Sequence, residues 1–294
     1  MKFGATSNVL GVGSDRKDSL RIAREIGCEG VEAGLPVASI RTGDTTMNEL
    51  MTEAEAIRTD YAEAGLDIVS LTPNVMPKHA QHPDVIDAVC RTAQAMGTRQ
   101  VRMFSSPHVR WGGPGSTLDD WMADFDGTRS ARHWLQSDAD NIARILDLSA
   151  AYDVRYVFEL HGGYVINSAS GAMRLLDRHP ADRVGIIMDP GNMVIEGNEG
   201  WRNCVEIMGE YLAYIHCKNT AFTQADGRWM NKRVAMADGI ASFPQIVTAL
   251  KDIGFDGYLC IEEMRKHGDL AEMVRDELTY LRDLVASTER TVPH

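Results

Sequence analysis

The sequence predicts an α/β protein, a single (β/α)8 TIM barrel that spans residues 1–294. Short runs of apolar and β-branched residues alternate with longer stretches of helical periodicity, and there are eight such runs. Most of these runs begin about 30 residues apart, the length of one strand, one helix and their loops. The chain length of 294 residues also suits a barrel, which typically has about 250 residues. A large doubly wound sheet is the alternative for such an alternation, and the number of runs favours the barrel.

Eight strands and six helices are predicted in chain order. The predicted strands cover residues 2–7, 30–35, 67–73, 100–105, 155–161, 184–189, 212–218 and 257–263. The predicted helices cover residues 19–26, 47–64, 83–96, 141–152, 242–253 and 269–285. Pro83 favours the first turn of a helix. Glycines that follow several of these helices, such as Gly65 and Gly97, are typical of the left-handed residue that ends a helix.

The predicted loops after the fourth and seventh strands are much longer than ordinary connections. Their sequences are SSPHVRWGGPGSTLDDWMADFDGTRSARHW and NTAFTQADGRWMNKRVAMADGIA. Together they contain four of the five tryptophans, Trp111, Trp121, Trp134 and Trp229. In a barrel, the loops after strands lie at the C-terminal mouth, where active sites are found. These extended loops therefore form either a lid or subunit contact over the site, or a satellite hydrophobic cluster.

Net charge and cysteine pattern argue against several classes of protein. The chain has 30 Lys and Arg against 42 Asp and Glu, a net charge of −12, which repels nucleic acid and anionic membranes. Its five cysteines are scattered and form no C-x-x-C motif, which argues against a disulfide framework or a thiolate zinc site. The sequence has neither a long apolar span nor a signal-peptide pattern. We therefore expect a soluble, cytoplasmic protein that binds neither nucleic acid nor membrane.

Ionisable residues stand at the ends of the last four predicted strands, each in an otherwise apolar context. These residues are Glu159, Asp189, His216 and Glu262. The C-terminal ends of barrel strands meet at one rim, so we expect the four side chains to converge. Any one of them could be an isolated polar group at a strand end, and their recurrence on four successive strands favours a shared site.

A shared site of this composition predicts a bound cation. A buried carboxylate is costly unless it is paired or metal-bound. Three carboxylates and one imidazole at one centre repel one another unless a positive ion lies between them. The set offers oxygen and nitrogen ligands and no thiolate. Such ligands suit Mn²⁺, Mg²⁺ or Co²⁺ better than a structural zinc ion.

Four short motifs carry these residues along the chain, namely F-E-L-H-G-G, M-D-P-G-N-M, I-H-C-K-N and G-Y-L-C-I-E-E. In order and spacing they resemble the xylose isomerase-like TIM-barrel superfamily, the sugar phosphate isomerase/epimerase family, which also contains endonuclease IV. The resemblance implies that Glu159, Asp189, His216 and Glu262 bind one divalent metal ion, most often Mn²⁺, with Mg²⁺, Co²⁺ and Zn²⁺ as alternatives. It also implies that Glu159 and Glu262 are catalytic acid/base residues, acting on a keto-sugar or polyol through a metal-stabilised enediolate.

Four further residues are candidates for substrate binding, namely His161, Asn192, Lys218 and His108. His161 and Lys218 each lie two residues beyond a candidate ligand and so face the same side of the strand. His161 would contact substrate or be a hydrogen-bonded structural residue. Lys218 would neutralise an oxyanion or pair with Asp189 or Glu159. His108, in the loop after the fourth strand, would reach the substrate from a lid or stay solvated.

Two positions depart from the family pattern. Asn192 stands three residues after Asp189, where the epimerases and the endonuclease commonly have histidine. An amide can hydrogen-bond a hydroxyl but does not titrate near neutral pH. The endonuclease also needs a D-x-H sequence after the seventh strand, and the best candidate here, Asp226-Gly227-Arg228, lacks the histidine. Together with the negative charge, this argues against DNA repair.

The expected reaction is isomerisation or epimerisation, the family default. The alternative is a lyase on the same scaffold, because a leaving group can depart once a proton is removed next to a carbonyl. Inosose dehydratases and the catalytic subunits of 3-keto-glycoside C-deglycosidases also resemble this family, and Asn192 slightly favours them. A non-catalytic sugar-binding barrel would have a broken ligand set. We expect a small carbohydrate substrate and a homo-oligomer, or a small partner subunit if the C-deglycosidase alternative holds.

Overall fold

The strands form a closed barrel. The computed structural model describes residues 1–107, 130–265 and 267–289. In chain order its strands are β1 (Lys2–Ala5), β2 (Gly30–Gly34), β3 (Asp67–Thr72), β4 (Gln100–Met103), β5 (Arg155–Glu159), β6 (Val184–Met188), β7 (Leu212–Cys217), β8 (Asn219–Ala225), β9 (Arg228–Val234) and β10 (Tyr258–Ile261). Within the described residues, eight of these strands are parallel and close in the order β1–β10–β7–β6–β5–β4–β3–β2. The predicted (β/α)8 barrel is therefore confirmed.

Each predicted strand is present, and each ends one or two residues earlier than predicted. At β6 and β10 the residues left out include the candidate ligands Asp189 and Glu262. Asp189 and Glu262 directly follow β6 and β10, and the Glu262 backbone N–H still donates to the Cys217 carbonyl of β7 at 3.1 Å. Both residues therefore lie at the C-terminal rim of the barrel.

Helices cover the outside of the barrel. They are Arg16–Glu25, Met47–Ala64, Pro83–Met96, Ala131–Leu148, Ala169–Leu176, Trp201–Met208, Phe243–Asp252 and Leu270–Ser287. A further short helix, Pro190–Met193, directly follows β6 at the C-terminal rim. Short 3-10 turns occur at Ser7–Gly11, Val37–Arg41, Pro77–Gln81, Gly209–Tyr211 and Met236–Asp238. The helices at Ala169–Leu176 and Trp201–Met208 were not predicted, because eight residues are too few to show a clear helical period. The helix predicted from residue 141 begins at Ala131, where the Ser130 side chain caps it.

Local sequence sets several helix ends. Thr46 and Glu49 form a reciprocal capping box at the start of the Met47–Ala64 helix. Gly65 and Gly97 have φ angles of 67° and 78°, the left-handed conformation that ends a helix. The predicted glycine ends are confirmed at these two positions.

The long segment after β7 contains a β-hairpin that the sequence analysis did not predict. β8 and β9 pair in an antiparallel manner along their whole length. Asp226 and Gly227 form the two-residue turn with φ angles of 51° and 75°. Asp-Gly is a typical sequence for such a turn, because both residues tolerate positive φ. Trp229 lies on β9 and is 55% exposed.

The long segment after β4 is described only in part. His108, Trp111 and Trp121 belong to residues 108–129 and lie outside the described residues. Trp134 belongs to the helix Ala131–Leu148. Before the gap, the Ser106 backbone N–H and hydroxyl donate to the buried carboxylate of Asp138, at 2.8 and 2.6 Å. These bonds tie the start of the segment to the outer helix.

Apolar side chains fill two regions. The larger core lies between the barrel and its helices. A smaller cluster comprises Val69, Val157, Ile187, Ala213, Tyr214 and Cys260. All five cysteines are buried and free. None of the helices in the described ranges has the length and apolar character needed to cross a bilayer.

Candidate metal centre

The structure brings the four candidate ligands together at the C-terminal rim of the barrel. Glu159 is the last residue of β5 and His216 lies near the end of β7, while Asp189 and Glu262 follow β6 and β10. One ligand atom from each residue lies within 4.8 Å of those of the other three. Three of the side chains are fully buried, and that of Glu262 is 13% exposed.

The surroundings of His216 show that this cluster fits a cation. Its Nδ1 atom lies 3.3 Å from Glu159 Oε1 and 3.5 Å from Glu262 Oε2. It lies 4.0 Å from Asp189 Oδ2, yet it makes no hydrogen bond. A buried nitrogen without a partner is costly, and a metal ion on Nδ1 would satisfy it. Atoms bound to one ion at about 2.1 Å lie at most about 4.2 Å apart, so the present spacing needs to close by only about half an ångström.

Lys218 contributes a positive charge to this cluster. Its Nζ atom lies 2.6 Å from Asp189 Oδ2 and also contacts Glu262 Oε2. Of the pairings expected from the sequence, the structure shows the one with Asp189. The side chain is 6% exposed, so the ammonium group balances part of the buried negative charge.

The buried charges shift the pKa values of the cluster in opposite directions. Burial alone would raise the pKa of Glu159, but Arg102 and His216 hold it well below its usual range. Burial raises the pKa of Asp189 to about 7, and Lys218 only partly opposes this rise. Burial would lower the pKa of His216, but the carboxylates around it raise it to about 10. Without a cation, the imidazole of His216 is therefore protonated on both nitrogens, and positively charged, at neutral pH.

Glu32, on β2, contacts His216 and is not among the site residues predicted from the sequence. Its Oε1 atom lies 2.9 Å from His216 Nε2, the ring nitrogen that faces away from the cluster. The Tyr214 hydroxyl donates to the same oxygen at 2.6 Å. Burial would raise the pKa of Glu32, but Arg102 and His216 lower it to about 2. Glu32 is therefore an ionised acceptor behind the imidazole.

Arg102, on β4, was also missed. Its Nε atom donates to Glu159 Oε2 at 2.9 Å, and its Nη2 atom contacts the same oxygen. Its Nη1 atom donates to Glu32 Oε2 at 3.2 Å. Glu32 and Arg102 are charged residues inside otherwise apolar strands, GVEAG and QVRM. That pattern could have identified them, but the sequence prediction was made only from strand ends.

Asn192 and Arg233 contact the cluster from its side. The Asn192 amide donates to Asp189 Oδ2 at 2.7 Å, and its backbone N–H donates to Asp189 Oδ1 at 3.0 Å. Arg233, on β9, donates to Asn192 Oδ1 at 3.0 Å. Asn192 is buried, and these contacts fix both the amide and the carboxylate.

His161 belongs to an aromatic group beside the site. Its ring packs edge-on against Phe104 and Tyr164, with centroids 5.5 and 4.9 Å away. Phe104 and Tyr164 stack on each other at 5.2 Å. The His161 Nδ1–H donates to the Gly162 carbonyl at 2.8 Å, and burial lowers the pKa of the ring. His161 is therefore a neutral, hydrogen-bonded ring next to the candidate ligand Glu159.

A match between this chain and a protein-family model shows the family to which the chain belongs. The family model described as a xylose isomerase-like TIM barrel matches residues 20–284. The chain belongs to the xylose isomerase-like TIM barrel family. This confirms the resemblance that the four motifs carry. The four clustered residues lie within the matched range.

A curated relative is the inosose dehydratase of Lacticaseibacillus casei. It is 23% identical over 138 residues, which is 42% of this chain and 45% of that protein. The chain thus matches less than half the length of these curated relatives.

Solved structures share the fold along almost the whole chain. The apo form of 3-keto-D-glucoside 4-epimerase from E. coli has a TM-score of 0.71 at 18% identity, covering 96% of this chain and 99% of that one. A xylose isomerase-like TIM barrel protein from Mycobacterium smegmatis, in complex with magnesium, has a TM-score of 0.68 at 16% identity, covering 97% of both chains. The named enzymes among these relatives are thus an epimerase and a dehydratase.

Proposed function

We propose that this protein is a divalent-metal-dependent enzyme that acts on a keto-sugar or on a polyol that carries a keto group, such as an inosose. It would remove a proton next to the carbonyl and so isomerise or epimerise the substrate. The observation that carries the proposal is the ligand cluster, in which His216 Nδ1 faces three carboxylates without a hydrogen bond. A protein of the same fold is named a 3-keto-D-glucoside 4-epimerase, which supports a carbohydrate with a carbonyl group as the substrate.

The proposed metal is Mn²⁺, held by Glu159, Asp189, His216 and Glu262. Three carboxylates favour Mn²⁺ or Mg²⁺, and one imidazole favours a transition metal, so Mn²⁺ suits the mixed set. Mg²⁺, Co²⁺ and Zn²⁺ are the alternatives, and the magnesium complex of the M. smegmatis protein supports an oxygen-rich site. When bound, the ion would polarise a substrate carbonyl and make the adjacent carbon more acidic.

Glu159 and Glu262 are the proposed acid/base pair. Glu262 is the carboxylate of the cluster with an exposed portion, so it reaches the open mouth where a substrate enters. Glu159 is buried, and Arg102 binds one of its oxygens. Lys218 lies beside Glu262 and would stabilise negative charge that develops on a substrate oxygen.

The other substrate contacts are proposed at the same rim. His161 presents an aromatic edge beside Glu159, and Asn192 lies between Asp189 and Arg233. His108 remains a proposed contact from the segment outside the described residues. An aromatic wall next to hydrogen-bonding groups suits a sugar, whose ring has an apolar face and a polar edge.

A dehydratase is the second candidate, and the position of Arg102 favours it. Arg102 donates twice to Glu159 Oε2, which disfavours the return of a proton by that carboxylate. Elimination needs one base to remove the proton and a leaving group to depart. The inosose dehydratase relative supports the same alternative, and a 3-keto-glycoside C-deglycosidase is a second form of it.

Proton exchange with solvent tests the proposal. Metal-free protein is reloaded with Mn²⁺ and incubated in D₂O with ketohexoses, inososes and 3-keto-glycosides, and NMR follows each carbon. Deuterium in a recovered or rearranged sugar would support isomerisation or epimerisation. An unsaturated or deglycosylated product would support the lyase.

Two variants make the exchange test specific. Glu262→Gln should lose exchange, whereas Glu55→Gln, an exposed glutamate on an outer helix, should keep it. Mn²⁺-loaded protein that leaves every substrate unexchanged and unconverted would contradict the proposed function.

A further inference from the structure

We infer that Glu32 and Arg102 are positioning residues that fix His216 and Glu159 in the orientations needed to bind a metal ion. The inference rests on the proposed function in one respect, that the cluster binds a divalent cation. Neither residue is a member of the ligand cluster itself. Both act through a cluster residue that they contact directly.

Glu32 selects which nitrogen of His216 faces the cluster. A carboxylate accepts hydrogen bonds, so His216 Nε2 must carry a proton to donate to Glu32 Oε1 at 2.9 Å. In the neutral imidazole the other nitrogen, Nδ1, then has the lone pair. Nδ1 is the atom that faces the three carboxylates. The hydrogen bond therefore sets both the tautomer and the ring orientation for a metal ligand.

Glu32 is itself held from two sides. The Tyr214 hydroxyl donates to Oε1 at 2.6 Å, and Arg102 donates to Oε2 at 3.2 Å. Since Tyr214 uses its single proton on Glu32, the Ser70 hydroxyl must donate to Tyr214 at 2.9 Å. The whole chain of hydrogen bonds is buried in the barrel, so water does not compete with these donors and acceptors.

Arg102 fixes the second ligand. Two of its N–H groups bind Glu159 Oε2, which turns Oε1 toward His216 Nδ1 at 3.3 Å. The guanidinium also bridges to Glu32, so one planar group sets both carboxylates. Its position is constrained by the Phe104 ring, whose centroid lies 5.0 Å from Cζ. A lysine lacks this planar fork and could not hold both partners in the same way.

A buried Arg–Glu pair is not in itself a sign of this role, because apolar residues often stabilise a core as well or better. Asp60 provides a comparison. Its carboxylate is 8% exposed and pairs with Arg16 at 2.6 Å and Lys17 at 3.3 Å, on the outer helices. The partners of Asp60 are partly exposed side chains on an outer helix, whereas Glu32 and Arg102 each bond a residue of the ligand cluster.

Cobalt binding to the full chain tests the inference. Co²⁺ is the probe because its visible absorption responds to the number and geometry of its ligands. Wild type, Glu32→Gln, Arg102→Lys and the matched control Asp60→Asn are titrated by calorimetry and by absorption, after circular dichroism shows that each is folded. Loss of a hydrogen-bond partner behind a ligand weakens metal binding by about 10- to 100-fold.

We expect Glu32→Gln and Arg102→Lys to bind Co²⁺ about 10- to 100-fold more weakly, with an altered absorption spectrum. Asp60→Asn should match the wild type in both. Tyr214→Phe, which keeps the ring and removes one bond to Glu32, is the milder variant if Glu32→Gln does not fold, and should show a smaller shift of the same kind.

Folded variants with wild-type affinity and spectrum would overturn the inference and leave the proposed function standing. A wild-type protein that binds no divalent cation would overturn both. Weakening by Asp60→Asn as large as that by Glu32→Gln would also overturn the inference, because the effect would then follow from loss of any buried charge.

Discussion

Binding of a divalent cation should release a proton from His216. The pKa of this imidazole is about 10 in the metal-free structure, because Glu32, Glu159 and Glu262 outweigh the effect of burial. At pH 7 the ring is therefore protonated on both nitrogens. A cation binds the lone pair of Nδ1, so the proton on that atom must leave for solvent.

The size of the effect follows from the distance between the pKa and the working pH. At pH 7, three units below a pKa of about 10, about one imidazole in a thousand is unprotonated. The apparent metal affinity at pH 7 should be about a thousandfold below its plateau above pH 10, and should rise about tenfold per pH unit. Asp189 has a pKa of about 7, so at pH 7 it would release at most about half a proton more for each ion bound.

Calorimetry in two buffers with different heats of ionisation measures this release directly. The observed heat of Mn²⁺ binding should depend on the buffer with a slope of about one proton per ion, plus the fraction from Asp189. His216→Asn removes the titrating ring, so its slope should be smaller by the one proton that the imidazole releases.

Equal heats in both buffers with the wild-type protein at pH 7 would refute this reasoning. They would show that no proton leaves the site on binding, so that His216 is already neutral or does not bind the ion.

Three further outcomes can be tested. At saturating Mn²⁺, Glu262→Gln should lower kcat by about 100- to 10,000-fold, because it removes the proposed proton carrier; a smaller loss in steady-state assays would move that role elsewhere. The pKa of His216 is raised from 6.5 to about 10 in the folded protein, so protonation of the ring stabilises the metal-free fold. This stabilisation is complete below about pH 6.5 and is lost as the pH rises to about 10. The Tm of metal-free protein should fall over that window relative to His216→Asn, and parallel profiles for the two would contradict it. From the family resemblance we also expect a homo-oligomer, and substitution of the exposed Trp229 is the first test of where its interface lies. Sedimentation velocity that shows a monomer would contradict this.

The barrel was predictable because its signals are local. Alternation of β-rich and helical runs, at nearly constant spacing, identifies the strands without knowledge of their partners. The strand-end residues Glu159, Asp189, His216 and Glu262 could be proposed as one site for a similar reason, since parallel strands end at a common rim.

Glu32 and Arg102 could not be assigned in this way. Both are interior residues of strands, and their partners are distant in sequence. His216 is 184 residues from Glu32, and Glu159 is 57 residues from Arg102. The alternation of a strand shows that a side chain faces inward, but not which side chain it meets across the barrel.

Shorter elements were missed for other reasons. The hairpin of β8 and β9 contains a typical Asp-Gly turn, yet the sequence analysis takes the whole segment as one long loop. The helices Ala169–Leu176 and Trp201–Met208 are each about two turns long, too short for a period of 3.6 to stand out. The placement of Lys218 between Asp189 and Glu262 likewise depends on how three strand ends meet.

One divalent cation should bind the four rim residues. Anomalous diffraction from crystals soaked in Mn²⁺ would locate it. We expect one strong peak in the cluster, in contact with Glu159, Asp189, Glu262 and His216, and with Nδ1 rather than Nε2 as the histidine ligand. A peak elsewhere in the barrel, or a His216 ring turned so that Nε2 binds the ion and Glu32 loses its partner, would contradict it.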